Sequence, residues 1–264
     1  MSLTLSKLEK AQKSLNKLMK VDKASAGIAS HVVDIATNKL IIETLADSRD
    51  HAQQLASKVG LAESEFAVRT VSQMPSTRAS VISGDAFLNP DASLRCSIGF
   101  AVTNGFISAG HCGRRGQRAT DSNGNPLGTF YDSIFPGNDM SYIQAVQSDT
   151  LYGYVDGYSG SYYPIYGSQE AAIGASICRS GSTSGPTGGT IQAKGQTVNY
   201  AEGTLYGLTQ TNACSDHSDS GGSFLTSGQA QGVLSGGDGQ CTSYYQEVNP
   251  ILQKYGLTLV TAQQ

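Results

Sequence analysis

A serine that could act as a nucleophile lies within NACSDHSDSGGSFL, residues 212–225. A serine hydroxyl barely ionises near neutral pH, so Ser220 needs one side chain to take its proton and another to orient that base. His111, which follows the β-rich run GFISAG, is a candidate base, and Asp139, which precedes the β-run MSYI, is a candidate orienting group. The three residues predict a constellation that attacks carbonyl carbons.

The order His111, Asp139, Ser220 matches the chymotrypsin-type triad and neither the subtilisin nor the α/β-hydrolase order. The G-x-S-x-G elbow of the hydrolases is absent because Ser218 occupies its first position. His217 is interpreted as a rim residue beside the substrate rather than a second base. No C-x₂-C pair and no histidine pair at ligand spacing accompany these residues, so we expect neither a metal nor a cofactor.

Composition excludes several function classes. The chain has 264 residues, 39% of them hydrophobic, enough to fill a core. A net charge of −3 and a pI near 5.8 give no general case for a nucleic-acid or membrane partner. No apolar run approaches the roughly 18 residues that span a bilayer. Lysines interrupt the amino-terminal stretch, so we expect a signal peptide to be missing or already removed.

The chain changes character near residue 80. Lys and Arg outnumber Asp and Glu by eleven to eight before that point, and Asp and Glu outnumber them by thirteen to seven after it. Only Gly27 and Gly60 precede Gly84, and all five cysteines follow it. The segment MPSTRAS (74–80) resembles an exposed connection. We therefore predict two folding units, residues 1–78 and 79–264.

Hydrophobic periodicity predicts different folds for the two units. Residues 3–20 are typical of an amphipathic helix, 31–45 of two strands about a turn, 47–60 of a helix closed by Gly60, and 66–73 of a strand, which together make a small α+β unit. The second unit consists of short β-rich runs separated by turn residues, and we expect an all-β sandwich or barrel. Within it, TSGPTGG (183–189) is predicted to be a loop and NPILQKYG (249–256) a helix.

From about residue 81 onward the chain resembles the bacterial chymotrypsin-fold serine proteases of the α-lytic protease and streptogrisin family. Nine collinear segments carry the resemblance: CSIGFAV, SAGHCG, FPGND, AAIGASICRSG, NYAEG, LTQTNAC, DSGGS, QAQGVLSGG and NPILQKYGLTLVT. The resemblance implies two antiparallel six-stranded β-barrels with the site between them. The preceding unit resembles the carboxy-terminal part of that family's pro-region, which implies a folding assistant and inhibitor removed by self-cleavage near Arg78–Ala79.

The resemblance also implies a role for each site residue. Ser220 attacks the substrate carbonyl, His111 transfers the proton, and Asp139 holds the imidazole. The backbone amides of Ser218 and Ser220 form the oxyanion hole. Further residues are expected to contact the substrate: Ser215 and Leu234 in the pocket, His217 at the rim, and Ser235, Gly236 and Gly237 along the substrate backbone. Ser235 is also expected to support the aspartate.

Ser218 departs from the family motif, which has glycine at this place. Glycine permits a backbone conformation that a residue with a side chain reaches only with strain, and the amide of this residue must point at the oxyanion. Asp219 is interpreted as a buried partner either of the new amino terminus or of a nearby backbone. Ser215 indicates a pocket open to medium or large apolar side chains, although Asp216 could instead favour a basic residue.

The cysteines follow the family with one exception. The resemblance pairs Cys96 with Cys112 and Cys214 with Cys241, bonds that indicate an oxidising compartment. Cys178 lacks its usual partner because Gly188 stands there, so we expect a buried free thiol.

We therefore expect a secreted, extracellular serine endopeptidase, made as a monomeric zymogen, that cleaves proteins or peptides after apolar residues. Its partners would be those substrates and its own pro-region, with no nucleic acid and no membrane. The alternative is a protease homologue that binds peptides without cleaving them, and the serine at position 218 motivates it.

Overall fold

The computed structural model describes residues 5–20, 25–72, 74–75, 79–146, 149–239 and 241–262. The chain divides into two compact units, Met1–Ser76 and Thr77–Gln264. The division falls two residues before the boundary expected from composition. Arg78, on the amino side of the expected cleavage point, lies outside the described residues.

The first unit is the small α+β fold that its periodicity predicts. Its elements are α1 (Leu5–Leu18), β1 (Ile28–Asp34), β2 (Lys39–Thr44), α2 (Arg49–Lys58) and β3 (Phe66–Thr70). The sheet order is β1-β2-β3, with β1 and β2 antiparallel and β2 and β3 parallel. The buried faces of both helices and the sheet share one apolar cluster, which includes Leu8, Leu15, Leu40 and Leu55.

The second unit is almost entirely β-structure, so the all-β prediction is confirmed. Its strands are β4 (Ser80–Ser83), β5 (Ala86–Asn89), β6 (Leu94–Ser97), β7 (Phe100–Val102), β8 (Gly105–Ser108), β9 (Arg118–Thr120), β10 (Pro126–Ile134), β11 (Met140–Ala145), β12 (Thr150–Tyr158), β13 (Ser161–Pro164), β14 (Ser176–Gly181), β15 (Gly185–Tyr200), β16 (Gly203–Thr211), β17 (Ser223–Thr226), β18 (Gln229–Gly237) and β19 (Ser243–Glu247). One helix, α3 (Val248–Tyr255), follows them as predicted, and Gly256 ends it with a left-handed φ of 63°.

The carboxy-terminal half of this unit forms the expected six-stranded barrel. It closes in the order β14-β15-β16-β19-β18-β17, and every described pairing in it is antiparallel. Ile177, Ile191, Phe224, Leu234 and Tyr245 fill its interior.

The amino-terminal half differs in detail from a six-stranded barrel. It is a seven-stranded antiparallel sheet in the order β6-β5-β9-β10-β11-β8-β7. The edge strands β6 and β7 are separated along the chain only by Ile98 and Gly99, so they are two arms of one bent segment, and the sheet curls back on itself. Gly99 permits the bend because a Cβ there would lie 2.7 Å from the Ile107 carbonyl oxygen. A smaller sheet, β13-β12-β4, contains a parallel pair between β12 and β4.

The prediction of a loop at residues 183–189 is wrong for the five residues from Gly185 onward. Residues from Gly185 onward belong to β15, where Pro186 lies opposite Ser180 of β14. The described pairing of β15 with β16 begins only at Ile191, so the proline occupies a stretch with a strand on one side only. Pro is tolerated in such an edge position because no second neighbour requires its missing N–H.

Candidate active site

Neighbouring strands bring His111 and Asp139 together. His111 lies in a short turn (Gly110–Cys112) directly after β8, and Asp139 directly precedes β11. Because β8 and β11 pair antiparallel, with Ser108 opposite Ser141, the end of one strand meets the start of the other. Residues so far apart in the sequence thus reach the same end of the sheet.

The His111 imidazole and the Asp139 carboxylate form a close, oriented pair. Nδ1 lies 2.9 Å from Oδ2 and 3.1 Å from Oδ1 of Asp139, and the His111 backbone N–H also donates to Oδ1 at 3.0 Å. Ser235 Oγ donates to Oδ2 at 2.6 Å, and the Asp139 amide donates to Gln246 Oε1. An ionised carboxylate only accepts hydrogen bonds, so Nδ1 carries the proton and Nε2 of the neutral ring is left as a base.

The electrostatics of His111 reflect this partner. Asp139 is fully buried, whereas the His111 side chain is 27% exposed. Burial disfavours the imidazolium, but the Asp139 carboxylate outweighs that effect, and with a smaller contribution from Glu202 it raises the pKa of His111 above its usual value.

Ser220 lines the same cleft as His111 and Asp139. The cleft has a volume of about 940 Å³ and also contains Ser235 and Leu234. The Ser220 segment is anchored by hydrogen bonds from Ser97 N to the Ser220 carbonyl and from Gly221 N to the Leu234 carbonyl, both of 2.8 Å. Among the described residues, Ser220 Oγ makes no hydrogen bond to His111. Catalytic hydrogen bonds are often long before substrate binds, and the pair can tighten in the complex.

The backbone at Ser218, two residues before Ser220, has a strained conformation of the kind expected where the family has glycine. Ser218 has a left-handed φ of 67°, so the backbone strain anticipated from the missing glycine is present. Within the described part of the chain, neither the Ser218 amide nor the Ser220 amide donates a hydrogen bond to another residue. Neither amide is therefore engaged within the described residues; Ser220 lines the cleft, and Ser218 is not among the residues that line it.

Asp219 is held by groups already in the chain. Its carboxylate accepts from the Thr183 and Ser184 amides at 2.8 and 3.1 Å, from Ser184 Oγ at 2.6 Å and from the Asp216 amide at 2.8 Å. Its Oδ2 also lies 3.2 Å from Nη1 of Arg179, and both side chains are fully buried.

Burial disfavours the carboxylate of Asp219, but the hydrogen bond from Ser184 and the charge of Arg179 lower its pKa below the usual value. Of the two partners anticipated for Asp219, the nearby backbone is the one found in the uncleaved chain. Sequence reasoning missed Arg179, for which the available signal was a single charged residue inside the β-run SICRSG.

The remaining predicted site residues surround the same cleft. It is lined by Ser215, His217, Leu234, Ser235, Gly236 and Gly237. Leu234 is buried and His217 is exposed, and Ser215 Oγ lies 2.7 Å from Ser243 Oγ. Residues 235–237 end β18, and their described pairings are with β19 alone, so one backbone edge faces away from the barrel's own strands.

Sequence reasoning missed several charged or aromatic residues of the cleft. Arg114, Arg115, Tyr200 and Glu202 line it together with the predicted residues. The proximity of Arg114 and Arg115 to His111 in the chain, and of Tyr200 and Glu202 within NYAEG, was the available signal.

The cysteines are arranged as the resemblance implied. Disulfides join Cys96 to Cys112 and Cys214 to Cys241. Cys178 is a free thiol, half-buried rather than fully buried, and burial raises its pKa. It lies directly opposite Gly188 in the β14–β15 pair, where the missing cysteine would stand. Cys96 and Cys112 also lie close to His111, but their sulfur atoms are bonded to each other and offer no thiolate.

No helix in the described ranges is both long and apolar enough to cross a membrane.

Comparisons with known proteins agree with this geometry. No protein-family profile matches the chain. Streptogrisin-C of Streptomyces griseus is 40% identical over 98% of the chain, which spans 58% of that protein's length. Streptogrisin-A of the same organism is 34% identical, and the match covers 90% of the chain and 82% of that protein. The crystal structure of Cellulomonas bogoriensis chymotrypsin is 48% identical, with a TM-score of 0.65, and covers 69% of the chain and 100% of that protein. The chain therefore belongs to the streptogrisin family of chymotrypsin-fold bacterial serine proteases.

Proposed function

We propose that the chain is a serine endopeptidase that cleaves proteins or peptides through an acyl-enzyme. The observation that carries the proposal is the buried Asp139 carboxylate, bonded to Nδ1 of His111 in the cleft that Ser220 also lines. This arrangement leaves Nε2 as the base that a serine nucleophile requires.

The reaction has two stages. Ser220 Oγ attacks the carbonyl carbon as its proton passes to His111 Nε2, and the imidazolium then protonates the leaving amine. After the amine leaves, water attacks the acyl carbon as its proton passes to His111. The bond from that carbon to Ser220 Oγ then breaks, the imidazolium protonates Oγ, and the acid is released. Asp139 remains ionised throughout and stabilises the imidazolium, while the amides of Ser218 and Ser220 bind the oxyanion.

Substrate binding follows from the edge of β18. An extended peptide pairs with the free backbone edge of Ser235, Gly236 and Gly237, as an added strand. The side chain before the cleaved bond then enters the pocket beside Leu234 and Ser215, and the buried, apolar Leu234 and the small Ser215 support a preference for apolar residues. His217 stands at the rim.

The first unit is proposed to be a pro-region that assists folding and inhibits the protease. Its support is the opposite charge balance of the two units and the predominance of non-local β-pairing in the second, which slows unassisted folding. The disulfides and the secreted character of the proposed enzyme suit an extracellular setting, in which the protein would act as a monomer.

Hydrolysis of a peptide anilide with leucine or phenylalanine before the scissile bond tests the activity. The expressed chain should release the amine after self-cleavage, and its Ser220→Ala variant should not. A folded chain that binds the peptide yet leaves it intact would favour the non-cleaving homologue, which the strained Ser218 makes the second candidate. Deleting residues 1–78 tests the pro-region, because rapid refolding of the remainder alone would contradict a folding role.

A further inference from the structure

A network of serine hydroxyls lies behind the predicted oxyanion hole and plays no part in the mechanism above. Ser97, at the end of β6, is fully buried, and more than a hundred residues separate it in the sequence from Ser218 and Ser220. Its backbone N–H donates to the Ser220 carbonyl at 2.8 Å, and its Oγ lies 3.1 Å from the Ser218 carbonyl oxygen. One residue therefore holds the carbonyls of both residues whose amides are proposed to bind the oxyanion.

Ser182 completes the network from the β14–β15 turn. Its Oγ lies 3.3 Å from the Ser218 carbonyl oxygen and 3.0 Å from Ser97 Oγ, and its amide donates to Ser97 Oγ at 2.9 Å. The two hydroxyls have two protons between them. If Ser97 donates to Ser182, Ser182 donates to the carbonyl; otherwise both can donate to it. In either case the Ser218 carbonyl receives at least one hydrogen bond.

The turn that carries Ser182 is itself fixed. Arg95, two residues before Ser97, donates from Nη2 to the Ser182 carbonyl and from Nη1 to Thr183 Oγ1, both at 2.9 Å. The Thr183 amide donates to the Asp219 carboxylate. The turn therefore contacts both Ser218, through its carbonyl, and Asp219, through its side chain. Arg95 therefore holds the turn from outside the Ser218–Ser220 loop, while Asp219 ties the turn to that loop.

Such support matters at Ser218 because of its left-handed φ of 67°. Rotation of the peptide plane between His217 and Ser218 changes this φ and turns the Ser218 N–H at the same time. A residue with a side chain lowers its free energy by leaving the left-handed region, whereas glycine does not. Hydrogen bonds to the Ser218 carbonyl restrain ψ, so any relaxation that requires φ and ψ to change together is opposed.

We propose that Ser97 and Ser182 are positioning residues that keep the strained Ser218 peptide in the oxyanion-binding conformation and so offset the absence of glycine. The inference rests on the proposed proteolytic function. Hydroxyl groups from β6 and from the β14–β15 turn thus compensate for the unfavourable residue at position 218.

The test is a set of variants of the full chain assayed for kcat and KM on a peptide anilide. Ser182→Ala should lower kcat about tenfold, and adding Ser97→Ala, which removes the remaining hydroxyl donor, should lower it further. The loss should stay below the roughly 10²- to 10³-fold loss of a whole oxyanion donor, with KM nearly unchanged. The affinity of a peptide boronic acid, which mimics the tetrahedral intermediate, should fall by the same factor. Ser180→Ala is the control, since Ser180 is buried like Ser97 and its hydroxyl donates to the Asp156 carbonyl rather than to the Ser218 loop.

A second background separates positioning from general stability. In Ser218→Gly the left-handed conformation costs little, so Ser182→Ala should then change kcat less than about threefold. Equal losses in both backgrounds, or an unchanged kcat in Ser182→Ala with Ser218 in place, would overturn the proposal. If the unmodified chain hydrolyses nothing and takes up no boronic acid, the proposed function itself fails, which is a different result.

Discussion

The two members of the buried Arg179–Asp219 pair should respond unequally to removal. Asp219 keeps four donors from the backbone and Ser184 when Arg179 is lost. Arg179 is fully buried; its Nε and Nη2 donate to neutral oxygens, and Asp219 supplies the carboxylate beside its Nη1, 3.2 Å away. In Asp219→Asn the Arg179 charge would lose its counter-ion. The new amide nitrogen would also face groups that themselves donate hydrogen bonds.

Removing one partner of a buried ion pair costs roughly 3–5 kcal/mol, so we place Arg179→Met at the lower end of that range and Asp219→Asn at or above the upper end. For a domain of this size 1 kcal/mol corresponds to roughly 2–4 °C in Tm, so the two variants should differ by about 4–8 °C. Calorimetry of both substitutions in a Ser220→Ala background, which prevents self-digestion, measures the difference.

The exposed pair between Arg118 and Asp91 provides the control, because Arg118→Met should lower Tm much less than either buried substitution. The reasoning is refuted if Arg179→Met lowers Tm as much as Asp219→Asn, or if neither substitution exceeds the control.

Three further predictions concern charge and covalent structure. Glu202 helps to raise the pKa of His111, so Glu202→Gln should move the acid limb of the kcat/KM profile to lower pH at low salt; an unmoved limb would contradict the assignment. Burial, with a hydrogen bond and charge from Asp156, raises the pKa of Asp85 to about 7. A carboxyl pKa that is higher in the folded than in the unfolded protein stabilises the fold fully below the pKa of the unfolded state, and this stabilisation is lost as pH rises through 7. The calorimetric Tm should therefore fall as pH rises from the unfolded-state pKa to 7, and Asp85→Asn should flatten the fall. Gly188→Cys should form a disulfide with the free thiol opposite it, raising stability by about 2–3 kcal/mol; a thiol titration that finds two free groups would refute the pairing.

The sequence predicted elements wherever local signals agreed with the fold. The helices α1, α2 and α3 and the hairpin of β1 and β2 follow apolar periodicity and turn residues that local chemistry alone can satisfy. The His111, Asp139 and Ser220 segments were found from residue type and order. Their meeting depends on the antiparallel pairing of β8 with β11, which no local pattern specifies.

Other features needed the three-dimensional structure. Residues 185–189 looked like a loop because glycine and proline dominate them, yet pairing with β14 overrides that preference. The bend at Gly99 divides one strand of the expected six-stranded barrel into β6 and β7, which gives seven strands. It depends on the close approach of this backbone to the Ile107 carbonyl. Arg179 and Ser97 could not be identified as partners of the Ser220 loop, because each comes from a distant strand.

The central claim is that Ser220 is a nucleophile activated by the His111–Asp139 pair. The measurement that tests it most directly is mass-spectrometric mapping of the adduct that a fluorophosphonate probe forms with the self-cleaved protein. The account predicts one adduct, on Ser220, and none in folded His111→Ala. A folded, self-cleaved protein that remains unlabelled, or is labelled at another residue, would contradict it.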